Sequence, residues 1–119
     1  RDIYECRIIG QFNNEFIILS NKEKIFIIDQ HAIHERIRYE KITRIYIEEN
    51  NNMYNIFKID KIIDERNKSI ACSNAIKFGD KLNLFQIKNL ILGFKECKYP
   101  FKCIHGRPTV ISVIIKDKL

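Results

Sequence analysis

The side chains best suited to chemistry lie between Ile25 and Glu40, in the stretch Ile-Phe-Ile-Ile-Asp-Gln-His-Ala-Ile-His-Glu-Arg-Ile-Arg-Tyr-Glu. Asp29, His31 and Glu35 bring a carboxylate, an imidazole and a second carboxylate together, and His31 and Glu35, four apart, share a helical face. That set suits a divalent metal with nitrogen and oxygen ligands. The competing reading is a solvated first turn, with Asp29 favoured by the helix dipole and Glu40 paired with Arg44. A second cluster, Cys103-Ile104-His105-Gly106-Arg107-Pro108, puts a thiol and an imidazole two apart. Gly106 permits a turn that a side chain would oppose, and Pro108 stiffens its exit. A Cys-x-His pair can bind zinc from a loop, with Cys72 and Glu35 able to complete a tetrahedral shell. The competing reading of Cys72 is a small buried hydrophobe.

These groups need elements to hold them. The run before Asp29 reads as a buried strand, after which the period changes so that Ile33 and Ile37 fall four apart. A helix is therefore expected from near His31 to about Glu48, with Asn50 to Asn52 breaking it. Upstream, residues 3 to 10 read as a strand ending at Gly10, Asn13 and Asn14 as a turn, and Glu15 to Ser20 as a strand. Asn21 to Glu23 then turns into the strand Lys24 to Ile28, completing an antiparallel meander. Between Met53 and Asp64 the apolar residues serve strand or helix, and an extended connection is expected. From about Lys68 a helix is expected with Ser69 as N-cap, a stripe of Cys72, Ala75 and Ile76, and Gly79 as its stop. Another from Asn83 carries Leu84, Ile87, Ile91 and Phe94 on one face, and Pro100 ends any continuation. Lys102 to Pro108 reads as a turn and Thr109 to Ile115 as a strand. The expected fold is α+β: a small mixed sheet with a meander of three N-terminal strands, packed helices and a C-terminal strand.

At 119 residues the chain fits one domain, near the size where a bound metal helps stability. It begins at Arg1 without an initiator Met, so a fragment of a longer protein is expected. No signal peptide or membrane-length apolar run is present, and an intracellular, soluble protein with no membrane partner is the expectation. The net charge of +6 is compatible with a polyanionic partner, although Lys is spread along the chain. The bias towards Ile and Asn is attributed to an AT-rich genome. Cys6, Cys72, Cys97 and Cys103 are expected as thiols or ligands, and since no two are spaced Cys-x-x-Cys, a metal site must be assembled from distant segments.

Asp29-Gln30-His31-Ala32, two residues, Glu35, four residues and Glu40 resemble the endonuclease motif of the MutL DNA mismatch-repair family. Ala71-Cys72 with Ala75-Ile76, and Cys103-x-His105-Gly106-Arg107-Pro108, resemble its two later metal-site motifs in the same order. Gly10-Gln11-Phe12 and Phe16-Ile17 are similar to its opening strands. The likeness covers nearly the whole chain. Ala75-Ile76-Lys77-Phe78-Gly79-Asp80 and Tyr99-Pro100-Phe101-Lys102-Cys103 look most like MutL homologue three, the MutL-gamma subunit, and Ile104, where other branches usually have Pro, agrees with that branch. Two features depart from the family: only about thirty residues separate Glu40 from Ala71, where a regulatory subdomain is usual, and Ser73 stands where Arg is frequent. A regulatory subdomain is thus expected to be absent or reduced to about residues 50–68, and no sliding-clamp-binding peptide is recognisable.

The resemblance implies a C-terminal dimerisation and endonuclease domain that nicks DNA. The implied metal ligands are His31, Glu35, Cys72, Cys103 and His105, with Asp29 and Glu35 catalytic and Gln30, Glu40 and Arg107 supporting them. Zinc is implied as a structural or regulatory ion, and manganese or magnesium for cleavage. Two ions sharing Glu35 are feasible. Arg36 and Arg38, with Lys102 and Arg107, are candidates for phosphate contact, the competing reading being solvated charge. The implied partners are MutL homologue one and DNA, the location the nucleus, and the role mismatch repair or meiotic recombination. The alternative is a non-catalytic dimerisation module stabilised by zinc, which would not need Asp29.

Overall fold

The computed structural model describes residues 2–49 and 61–115. A 3-10 turn, Asp2–Glu5, leads into β1 (Arg7–Phe12), followed by β2 (Phe16–Ser20) and β3 (Lys24–Asp29). The first turn takes Asn13 and Asn14 at φ of 57° and 50°, a left-handed geometry that asparagine tolerates. In the second, the Asn21 Oδ1 accepts from the N–H groups of Glu23 and Lys24, each at 2.8 Å. Alternation of Ile17 and Leu19 on β2 with Phe26 and Ile28 on β3 drives one face of the sheet into the core. The helices α1 (Gln30–Glu49), α2 (Lys61–Ser73) and α3 (Leu84–Lys95) precede the last strand, β4 (Val110–Ile114).

Strand order is β1-β2-β3-β4, and the sheet expected as mixed is antiparallel in all three of its ladders. The long helical excursion between β3 and β4 allows either direction of return, so sequence pattern alone leaves the last pairing open. The core joins Ile17, Leu19, Phe26 and Ile28 of the sheet to Ile33 of α1 and to Ile87, Leu90 and Phe94 of α3. The other face of the sheet is apolar as well. There the register sets Ile18 beside Ile27, Ile27 beside Ile111, and Ile25 beside Val113, with Ile111 and Val113 59% and 47% exposed.

Several expectations are corrected. Ile3 and Tyr4 belong to the 3-10 turn, where Ile3 plugs the core, because burial is gained there without a strand partner. The second helix begins at Lys61 and ends at Ser73, so Ile62 and Ile63 are helical, Ser69 lies inside the helix, and Ala75, Ile76 and Gly79 lie beyond it. Contacts with α1 stabilise this helix although its sequence is polar: Tyr39 hydrogen-bonds Asp64, fully buried Asn67 donates to the Thr43 hydroxyl, and Arg66 lies over the Tyr46 ring. On α3, Leu90 joins the buried stripe while Leu84 is exposed. Asn83 caps α3 with Gln86, each side chain accepting from the other's backbone N–H at 2.8 Å. The breaker expected at Asn50 to Asn52 and the extended segment from Met53 to Ile59 lie outside the described residues. Among the described residues no helix is long and apolar enough to cross a membrane.

The α1–α3 contact is close. A Cβ at Gly93 would stand 3.1 Å from the Ile37 Cδ1 and 3.3 Å from its Cγ2. Gly93→Val is expected to cost about 1–3 kcal/mol in chemical unfolding. Shortening Ile37 to Ala in the same chain should recover part of that loss, a coupling absent if the two residues act independently. Burial, and then the hydrogen bond to Asp64, push the Tyr39 phenol up to about 12 from its usual 10.0. The folded state therefore keeps this proton while the unfolded chain releases it, so stability present below pH 10 is lost towards pH 12. The urea midpoints of wild type and Tyr39→Phe should converge over that window.

Candidate metal centre

The junction of β3 and α1 sets the first group of side chains. Asp29 is half-buried, its N–H donates to the Thr109 carbonyl at 2.9 Å, and its Oδ1 accepts from the Ala32 N–H at 2.9 Å, capping α1. Gln30 points the other way and is fully buried. Its Oε1 accepts from the Gln11 Nε2 at 2.7 Å, and its Nε2 donates to the carbonyls of Asn14 and Lys77, both at 2.9 Å. The Gln11 Oε1 in turn accepts from the Leu82 N–H at 2.8 Å. These two amides hold residues 77–82 against the β1–β2 turn.

From the first turns of α1, two histidines grip Ile76, the residue just before that segment. The His31 Nδ1 lies 2.8 Å from the Ile76 carbonyl, an acceptor, so Nδ1 carries the proton and Nε2 presents its lone pair. The Ile76 N–H donates to the His34 Nδ1 at 2.8 Å, so His34 holds its proton on the opposite nitrogen. Burial, followed by the charge of Arg38, keeps the His34 pKa below its usual value, in keeping with an acceptor nitrogen. The last carbonyls of α2 are satisfied by cations: Arg38 donates to Ala71 at 3.2 Å and Ile70 at 3.3 Å, and the Lys77 Nζ donates to Cys72 at 2.8 Å and Ser73 at 3.0 Å. This collar places Cys72.

The remaining candidates come from the segment after α3. The Glu40 carboxylate accepts from the N–H groups of Lys98 at 2.7 Å and Tyr99 at 3.0 Å. It pairs with Arg36 at 3.0 Å, in place of the expected Arg44, because Arg36 also reaches the Tyr99 carbonyl at 3.0 Å and its guanidinium lies over the Tyr39 and Tyr99 rings. Phe101 packs edge-on against buried Phe94, and Thr109, 1% exposed, donates from its hydroxyl to the Pro100 carbonyl and from its N–H to the Phe101 carbonyl. The turn then closes as the Cys103 N–H donates to the Arg107 carbonyl at 2.7 Å. Gly106 takes a φ of 85° there. Buried Cys103 sulfur receives the N–H groups of His105 at 3.3 Å and Arg107 at 3.4 Å, an arrangement that suits a thiolate ligand.

Two triads result, sharing Glu35: His31, Glu35 and Cys72 on one side, Glu35, Cys103 and His105 on the other, the ligand atoms of each within 4.8 Å of one another. All five side chains expected as ligands are thereby brought together. Glu35 is 2% exposed, and its buried Oε2 accepts no hydrogen bond. It stands 3.5 Å from the His31 Nε2, whose lone pair the Cys72 thiol meets at 3.8 Å. The hydrogen bond to Glu35, followed by burial, pushes the Cys72 thiol up. Acceptors gathered around a buried carboxylate, with His105 at the exposed side, fit a cation between them, and thiol, imidazole and carboxylate are donors that zinc accepts.

Arg36 and Arg38, expected to reach phosphates, have their guanidinium groups directed at main-chain carbonyls within the protein. Arg107 is exposed, and what braces the turn is its backbone rather than its side chain. His34, Lys77, Gln11 and Thr109 were not among the expected site residues. The spacing of His34 three residues after His31 was the available signal, whereas Lys77 and Thr109 act on carbonyls that sequence does not reveal.

Glu35→Gln gives two effects of opposite sign. A glutamine amide can donate to the His31 Nε2, so the metal-free protein should gain stability in urea, while its affinity for zinc in chelator competition should fall at least about tenfold. Gln30→Leu should cost about 1–3 kcal/mol of stability, since it leaves buried carbonyls without donors.

A sequence model of the MutL C-terminal dimerisation domain matches residues 9–55. The DNA mismatch repair protein MutL of Carboxydothermus hydrogenoformans is 27% identical over 175 residues, covering 93% of this chain and 30% of that protein. That of Aquifex pyrophilus is 33% identical over 110 residues, covering 92% and 20%. That of Clostridium botulinum strain Kyoto is 24% identical over 181 residues, covering 95% and 27%. This chain therefore spans less than a third of the length of each of these relatives. The first and third alignments exceed its 119 residues, so those two relatives carry residues with no counterpart here, whereas the Aquifex alignment does not exceed it. By matched segment and by relatives alike, the chain is similar to the C-terminal dimerisation domain of MutL mismatch-repair proteins.

Proposed function

We propose that this chain is the metal-dependent, DNA-nicking domain of a MutL-type protein and acts as a dimer. The observation that carries this reading is the buried Glu35 carboxylate, set between two ligand triads with one oxygen accepting no hydrogen bond. His31, Cys72, Cys103 and His105 would complete the two shells, with zinc suited to the thiol-bearing positions and manganese or magnesium to the cleavage step. A divalent ion there would polarise a phosphodiester and lower the pKa of water from ~15.7 towards ~7. Asp29, whose Oδ1 is engaged in the helix cap, belongs to neither triad; its other oxygen would complete a metal shell or orient the water. Gln30, Lys77, Arg38 and Glu40 keep the three contributing segments in place.

The sheet face that the described residues leave exposed at Ile111 and Val113, beside half-buried Ile25 and Ile27, supports a role in pairing with a second MutL-type chain. The finer assignment is to the MutL-gamma branch, resting on residues 75–80 and 99–103. With it go MutL homologue one as partner, DNA as substrate, a nuclear location and a part in mismatch repair or meiotic recombination. Of the four candidate cations for DNA, Lys102 and Arg107 are exposed and suited to phosphate contact. The short connection between α1 and α2 supports a reduced regulatory subdomain.

A second reading, a non-catalytic dimerisation module held by zinc, is favoured by the thiol donors. Asp29→Asn separates the two, because asparagine also caps a helix. In the presence of manganese, wild type with its partner domain should nick supercoiled plasmid. The variant should retain zinc and lose at least about a hundredfold in nicking rate. Nicking unchanged by the substitution contradicts the assignment of Asp29, and zinc binding without nicking in wild type supports the structural reading.

A further inference from the structure

We propose that His34 is a positioning residue for the metal centre, acting through the main chain of Ile76 on the ligand His31. This inference rests on the metal-centre reading above. Its basis is a clasp in which two imidazoles from one face of α1 hold the two ends of a single residue. The Ile76 N–H donates to the His34 Nδ1, and the His31 Nδ1–H donates to the Ile76 carbonyl, both at 2.8 Å. The second bond fixes the proton of His31 on Nδ1 and turns Nε2 towards Glu35 and Cys72. The first bond fixes where that carbonyl sits.

Ile76 lies three residues beyond the end of α2, in a stretch with no helical or strand ladder of its own. Its neighbours are restrained from other directions: the Lys77 carbonyl accepts from Gln30, and the Lys77 N–H donates to the Asp80 carboxylate at 2.9 Å. Neither contact sets the position of the Ile76 carbonyl along the axis of α1. The His34 ring does so, since a hydrogen bond from the peptide nitrogen holds that residue against α1 at the level of His31. Phe78, tilted against the His31 ring at 5.8 Å between centroids, closes the outer side without hydrogen-bonding the imidazole. What the position requires is an acceptor at the place of Nδ1, a requirement that asparagine meets and leucine does not.

The test is cobalt(II) binding to the full chain, read from the thiolate charge-transfer and ligand-field absorption and from competition with a chelator. His34→Leu should weaken cobalt binding about 10–100-fold and change the ligand-field bands, whereas His34→Asn should bind within a few-fold of wild type with its spectrum kept. The thermal midpoints of the two metal-free variants are compared in parallel. If His34→Leu binds like wild type, or if His34→Asn fails as severely as His34→Leu while both remain folded, the positioning role is overturned. If His34→Leu does not fold, His34→Asn decides: wild-type spectrum and affinity support the acceptor role, and loss of either overturns it. Failure of wild type to bind cobalt overturns the metal centre and this inference together, and is recognised because the loss is not confined to the His34 variants.

Discussion

A carboxylate taken out of water and left with one oxygen accepting no hydrogen bond is the constraint on which the site depends. Glu35 is in that position, 2% exposed on the inner side of α1. A buried polar oxygen without a hydrogen bond costs stability that a bound cation would restore. Its neighbours relieve it only in part, because the facing nitrogen of His31 has its lone pair directed at the same space and the Cys72 thiol, which hydrogen-bonds Glu35, is a weak donor. The surrounding structure is built to hold that arrangement in place.

Three restraints do so, and each joins a different part of the chain to α1. The Gln11–Gln30 pair fixes residues 77–82 from below, Arg38 and Lys77 collar the C-terminal end of α2, and Glu40 with Arg36 fixes residues 98 and 99. Thr109 links the last of these segments to β3 at Asp29. A side chain on a loop is a poor ligand unless its loop is fixed, since ordering it on binding costs conformational entropy. Here the ordering is done beforehand by hydrogen bonds to main-chain atoms, so that Cys103 and His105 meet Glu35 without a strand or helix of their own beneath them, and Cys72 meets it from the last turn of α2.

Much of the fold was legible because alternation and helical periodicity report burial directly. β2, β3, α1 and α3 each lie within a residue or two of where Ile17, Leu19, Ile28, Ile33 and Phe94 placed them. The start of α2 was not legible. Its stability comes from Asp64, Arg66 and Asn67 meeting Tyr39, Tyr46 and Thr43 on α1, contacts between polar side chains that carry no periodic apolar signal. The antiparallel return of β4 was likewise open, since a Val- and Ile-rich edge strand pairs in either sense. In the site, residue type and spacing singled out His31 with Glu35 and Cys103 with His105, and the family resemblance added Cys72, whereas the carbonyls that Arg36 and Arg38 reach, at a loop and a helix end, carry no signal in the sequence.

The central claim, that two triads sharing Glu35 form a metal centre, is tested most directly by X-ray absorption at the zinc edge on the zinc-loaded chain. The account predicts sulfur neighbours at about 2.3 Å together with nitrogen or oxygen neighbours at about 2.0–2.1 Å, with sulfur scattering diminished by Cys103→Ser and by Cys72→Ser. A shell of nitrogen and oxygen alone, or a spectrum that neither substitution alters, would contradict it.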